Sequence, residues 1–113
     1  MKVLVCGGRN FGEWRLLQRT LSSLREARGI DLLISGGASG ADDLAVRWAH
    51  HERIPACVFP ANWRFEGKAA GPKRNQRMID LGKPDVVVAF PGGRGTQDMI
   101  SRAREAGLEV IEA

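Results

Sequence analysis

Soft metal ligands are scarce in this chain, and the few present are poorly placed for metal or redox chemistry. The two cysteines, Cys6 and Cys57, fall in apparent strands, form no C-x-x-C pair and have no histidine cluster nearby, which points to buried, reduced thiols. His50 and His51 are adjacent on an expected helix, so they point about 100° apart and cannot chelate one ion between them. No metal site and no cofactor are expected. Long apolar runs are also missing. The first strand begins at Lys2 with only about five apolar residues, short of the roughly 7–15 of a signal sequence, and nothing approaches the ~20 of a membrane span; a cytoplasmic protein is expected. No linker or low-complexity stretch divides the 113 residues, so residues 1–113 are read as one domain. Negative charge is the minor sign: the net charge is +4, with thirteen arginines against four lysines. Arginine's planar fork suits phosphate, but Arg15, Arg19, Arg25 and Arg28 fall on one apparently solvated helix face and need no ligand.

Glycine turns are what the chain has in quantity. Three strand-like runs pass straight into small residues that open a helix: Val3–Cys6 into Gly7-Gly8, Leu32–Ser35 into Gly36-Gly37-Ala38-Ser39-Gly40, and Val86–Phe90 into Pro91-Gly92-Gly93-Arg94-Gly95-Thr96. In a parallel sheet such turns share the carboxyl edge, where helix N-terminal amides can converge on one anion. Trp14, Leu17, Leu21 and Leu24 mark a first helix that Gly29 stops, with capping-box spacing from Asn10 to Glu13 at its start. A second strand over Ile30–Ser35 leads to a helix from about Gly40 to Glu52, with Leu44 and Trp48 on its inner face, and a third strand covers Ala56–Phe59. Pro60 to Gly71 has no clear period and is expected to be a long functional loop. Pro72 suits the first position of a helix running to Gly82; a strand over Asp85–Phe90, a helix over Thr96–Ala106 and a strand over Leu108–Ile111 follow. This alternation predicts a Rossmann-like, doubly wound α/β fold with five parallel strands in the order 3-2-1-4-5 and helices on both faces. The Gly7 and Gly92 turns would then flank the crevice at the topological switch.

The common phosphate fingerprints do not fit. Gly7 and Gly12 have Walker A spacing, but Glu13 and Trp14 stand where lysine and a hydroxyl belong, and no G-x-G-x-x-G follows any strand. Four blocks in order, Gly7-Gly8-Arg9, Gly36-Gly37-Ala38-Ser39-Gly40-Ala41-Asp42, Ala70-Gly71-Pro72-Lys73-Arg74-Asn75 and Pro91–Thr96, instead resemble the SLOG superfamily of Rossmann-like domains, most nearly its YspA/cpYpsA-related group. The resemblance implies binding of a nucleotide or nucleotide-derived phosphate ligand, and homodimers. The superfamily's LOG-type members are similar to phosphoribohydrolases with the signature P-G-G-x-G-T-x-x-E. Arg74 and Met78 reproduce their upstream Arg-to-Met interval, but Met99 stands at the glutamate. Methionine can neither steady an oxocarbenium-like sugar nor activate water.

The ligand-binding set expected on these grounds comprises Gly7, Gly8 and Arg9; Gly36, Gly37, Ala38, Gly40 and Asp42; Arg74 and Asn75; and Pro91, Gly92, Gly93, Gly95 and Thr96. Thr96 is either a phosphate ligand or an ordinary N-cap, and Asp42 either a ribose acceptor or the end of a Ser39–Asp42 capping box. Arg74 lies early in its helix, where a cation opposes the dipole, as though a bound anion compensates it. Trp63 either stacks on a base, with Phe65 helping, or pins its loop; Trp14 and Trp48 read as structural. The first functional expectation is therefore a sensor or ligand-binding domain. The second is a hydrolase of such a ligand, with Asp98, Asp42 or Glu66 as its carboxylate. Nucleic-acid binding, suggested by similarity to the DprA-type DNA-processing branch, ranks last, because no basic run interleaved with exposed aromatics stands out in the sequence.

Overall fold

The computed structural model describes residues 1–113. The elements in order are β1 (Lys2–Cys6), α1 (Trp14–Arg28), β2 (Leu32–Ser35), α2 (Ala41–His51), β3 (Ala56–Val58), α3 (Trp63–Glu66), a 3₁₀ turn (Gly67–Ala69), α4 (Ala70–Gly82), β4 (Val86–Ala89), α5 (Arg94–Glu105) and β5 (Glu109–Glu112). The five strands form one sheet in the order β3-β2-β1-β4-β5, and every pairing is parallel. Val3 pairs with Leu33 on one side and Val86 on the other, which places β1 at the centre.

Strand alternation divides the core into two layers. Val3, Val5, Leu33, Val86 and Val88 pack against α1 and α2 through Leu17, Leu21, Ala45 and Trp48. Leu4, Cys6, Ile34 and Val87 face the other way, against Met78 and Ile79 of α4 and Met99, Ile100 and Ala103 of α5. Trp48 is buried, and its indole N–H donates to Ser22 Oγ at 3.2 Å; Trp14 is half-buried at the edge of the same layer. No helix is long and apolar enough to cross a membrane.

Local departures from the sequence-based expectations cluster at helix starts. Neither expected capping box forms. Glu13 caps α1 without a side-chain bond, and Trp14 N–H turns back to Gly12 C=O at 2.9 Å. Gly40 caps α2, while Ser39 Oγ donates to Arg9 C=O at 3.2 Å. Gly40 is required there: its φ is +78°, and a Cβ would collide with the backbone of Gly8 and Arg9. Gly93, not Thr96, caps α5, which begins two residues before the expected start at Thr96. The stretch from Pro60 to Gly71 is not an irregular loop but α3, the 3₁₀ turn and the start of α4; Pro72 is the third residue of α4, a first-turn position whose missing N–H has no intrahelical partner to lose.

Candidate functional site

The turns after β1 and β4 meet because the two strands are neighbours. Gly8 N–H donates to Pro91 C=O at 2.8 Å, and Ala41 N–H, at the start of α2, donates to Gly8 C=O at 3.2 Å. A Cβ on Gly92 would lie 2.6 Å from Gly8 N and overlap Thr96 Oγ1, so this junction admits only glycine. Above it opens a cleft of about 670 Å³, within the roughly 300–1,000 Å³ range of small-molecule sites. One wall is the start of α5. The N–H groups of Gly93, Arg94, Gly95 and Thr96 find no hydrogen-bond partner in the chain, and all four residues line the cleft. Together with the helix dipole they form a positive concavity.

The opposite wall belongs to α2 and α4. Arg74 Nη1 donates to Gly36 C=O at 2.6 Å and Nε to Asn75 Oδ1 at 3.1 Å. Asn75, buried, donates through Nδ2 to Gly95 C=O at 3.2 Å and Asp98 Oδ2 at 2.9 Å, so one amide joins α4 to α5. Asp42 Oδ2 accepts from Ala38 N–H at 3.1 Å. Asp42 Oδ1 and Arg74 Nη2 have no partner in the chain, yet no side-chain polar atom is both buried and unpaired; solvent therefore reaches both. Burial pushes the Asp42 carboxyl up to about 6, with the Ala38 N–H and the charges of Arg74 and Arg9 pulling the other way. Burial also lowers Arg74, opposed by Asp42 and reinforced by Arg9 and Arg77. Cys6 lies in the floor of the cleft, its thiol pushed up to about 12 by burial and then by Asp42 and Glu112, which leaves it neutral and inert.

Of the expected residues, Gly7, Gly8, Arg9, Ala38 and Asp42 line the cleft from the β1 and β2 side. Arg74, Asn75, Gly93, Gly95 and Thr96 line it from the α4 and α5 side. Gly36, Gly40, Pro91 and Gly92 stand behind the wall, giving room to Arg74, admitting the backbone of Arg9, accepting from Gly8 and fitting under Thr96. Gly37 faces Val58, outside the lining. Among the candidate carboxylates, Asp98 reaches the cleft but is held by Arg102 Nε at 2.8 Å as well as by Asn75. Glu66 lies elsewhere, paired with Lys73 at 3.6 Å and Arg77 at 3.4 Å. Met99 is fully buried beneath the sheet. No three His, Cys, Asp or Glu side chains converge as a metal ligand set.

Trp63 both pins and lines. Its ring edge would be 3.2 Å from a Cβ on Gly71, the Arg9 guanidinium sits 5.4 Å from its ring centroid, and the side of the cleft it forms leaves it 49% exposed. Lys68 and Arg94 are lining residues not anticipated from the sequence. The variable position inside P-G-G-x-G-T was the available signal for Arg94; Lys68 depends on a 3₁₀ turn that no periodicity announces. On α3, Phe65 is 79% exposed beside half-exposed Trp63, with Arg64 between them and Lys68 following, an exposure that the sequence alone does not announce.

Comparison with known proteins agrees with this architecture. The chain is 37% identical to Gene 61 protein of Mycobacterium phage D29, over 97% of its own length and 94% of that protein. Its fold superposes on DNA processing protein A (DprA) of Streptococcus pneumoniae with a TM-score of 0.79 at 19% identity, covering 98% of this chain but 49% of that one, a likeness of fold. Residues 1–65, more than half of the chain, match the family model of the YspA, cpYpsA-related SLOG family, and the chain belongs to that family.

Proposed function

We propose that the protein binds a nucleotide or nucleotide-derived phosphate ligand in the cleft between β1 and β4, as a sensor or ligand-binding domain. The observation that carries this reading is the set of four unpartnered N–H groups at the start of α5, on residues that line a cleft that also holds Arg9, Lys68 and Arg94, none of which has a carboxylate within ion-pair distance. The phosphate sits on those amides. Asp42 Oδ1 and Arg74 Nη2 offer an acceptor and a donor to the ribose hydroxyls, and Trp63 offers its exposed ring to the base. Self-association as a homodimer is part of the proposal and is checked by sedimentation.

The test is thermal denaturation and calorimetry with nucleoside monophosphates and ADP-ribose. A ligand at 100 times its Kd stabilises by about 2.7 kcal/mol, or roughly 10 °C for a domain of this size. Gly93→Asp places a carboxylate where the phosphate belongs, and a Cβ there meets nothing within 4 Å, so the variant folds. Its expected phenotype is an unaltered apo protein without the ligand shift; an unchanged ligand shift refutes the assignment. A second reading, hydrolysis of the same ligand, is favoured by one observation: Asp42, raised to about 6 inside the cleft, has the affinity for a proton that general acid–base work requires. Release of free base or ribose phosphate, abolished in Asp42→Asn, decides between binding and turnover.

A further inference from the structure

A mononucleotide accounts for Trp63 but leaves its neighbour on α3 without a role. Phe65 projects from the same short helix, is 79% exposed and lies outside the cleft lining, with the Arg64 guanidinium 5.8 Å from its ring centroid. A single exposed apolar side chain needs no cover, but Phe65 and half-exposed Trp63 set two exposed rings two residues apart on one short helix. The surrounding charge identifies what covers them. From Trp63 to Arg77 the chain carries five basic residues and one acidic residue, Glu66, and that carboxylate is occupied by Lys73 and Arg77. Arg64 and Lys68 consequently stand without an ion pair beside Phe65 and Trp63, and Arg9 and Arg94 of the adjoining cleft are unpaired as well. Unneutralised cations alternating with exposed rings match a polyanion with a flat apolar group on each repeat. A protein partner with an apolar patch would cover Phe65 but gives no reason for the accompanying cations.

We infer that the cleft takes one nucleotide of a single-stranded nucleic acid and that the strand leaves over α3, its next base on Phe65 and its phosphates between Arg64 and Lys68. This rests on the nucleotide reading of the cleft and extends its ligand from a free nucleotide to a strand. Double-stranded nucleic acid does not fit, because its bases are already stacked on one another.

The test measures binding of the full chain to a fluorescein-labelled ten-nucleotide single strand, as DNA and as RNA of the same sequence, with AMP, GMP, CMP and UMP as competitors. The expected result is at least one single strand binding more than tenfold tighter than any mononucleotide, with affinity falling as salt is raised. Phe65→Ala should weaken strand binding by roughly tenfold, the effect of losing one base–aromatic stack, while mononucleotide binding moves less than twofold. Arg64→Glu should weaken the strand in the same selective way. Mononucleotides binding as tightly as strands, or Phe65→Ala leaving strand affinity unchanged, overturns the extension and leaves the cleft reading intact. Binding of neither probe sinks both. If Phe65→Ala instead converts a dimer to a monomer in sedimentation without affecting the strand, the ring is a self-association contact and the inference fails.

Discussion

Replacing Asp42 by asparagine should stabilise the protein at pH 8 and change its stability little at pH 4, close to the unfolded value of the carboxyl. The carboxyl is raised from 3.8 to about 6 by burial, with the Ala38 N–H, Arg74 and Arg9 only partly offsetting that burial. Below the unfolded value both states hold the proton, so the side chain adds nothing. Between 3.8 and about 6 the unfolded chain releases its proton while the folded protein keeps it, and stability falls as pH rises. Above that window the folded protein carries an ionised, buried carboxylate. A gap of about two pH units corresponds to ~3 kcal/mol at 1.36 kcal/mol each. Asparagine keeps the shape and the acceptor for Ala38 N–H without the charge, so the variant should gain up to about 3 kcal/mol, or roughly 10 °C in Tm, at pH 8. Urea titrations of both proteins at half-unit steps from pH 4 to pH 8 give the curve directly. Two parallel curves, or a variant less stable than wild type at pH 8, would show that burial does not dominate at this carboxylate and that Arg74 compensates it fully. The same variant should bind ligand more weakly, since the proposed ribose acceptor then accepts less strongly; a residue that destabilises its own fold while lining a cleft is the usual trade between activity and stability.

The fold was readable in the sequence because it depends on patterns that repeat. Continuous apolar strands such as Val86-Val87-Val88 require cover on both faces, and the strand–helix alternation with right-handed crossovers leaves few topologies. The glycine turns were readable as well, because Gly8 and Gly92 touch across neighbouring strands and tolerate nothing larger. Helix starts were less so. Ser39 and Asp42 have the spacing of a capping box, yet tertiary partners won: Ser39 bonds the Arg9 carbonyl and Asp42 folds back on Ala38. Nor does a four-residue helix such as α3 generate a period to detect, which hid the exposure of Phe65 and the approach of Lys68 to the cleft. The roles of Asp98 and Met99 were half legible. Their 100° separation on α5 was evident from the sequence, but which one would face the cleft depended on how α5 seats Met99, Ile100 and Ala103 against the sheet.

Asn75→Ala should cost about 2 kcal/mol in urea denaturation, because it removes the donor to Gly95 and Asp98 and the acceptor of Arg74 at once; a loss below ~0.5 kcal/mol would mean that the α4–α5 junction does not depend on it. A thiol reagent at pH 8 should modify half-buried Cys57 readily and Cys6 only at the rate of unfolding, and two fast thiols would contradict the raised Cys6 value of about 12. Met99→Glu, which restores the carboxylate of the LOG-type signature, should unfold the protein and create no hydrolase. The Met99 side chain is fully buried among Leu4, Val87 and Ile100, and Asp98 already holds the cleft-facing position one residue earlier. An unpaired carboxylate in that layer costs several kcal/mol, comparable to the ~5–15 kcal/mol that holds a domain together. A folded Met99→Glu protein that released base from a nucleoside monophosphate would require α5 to turn by about 100°, and would refute the placement of Met99 in the core.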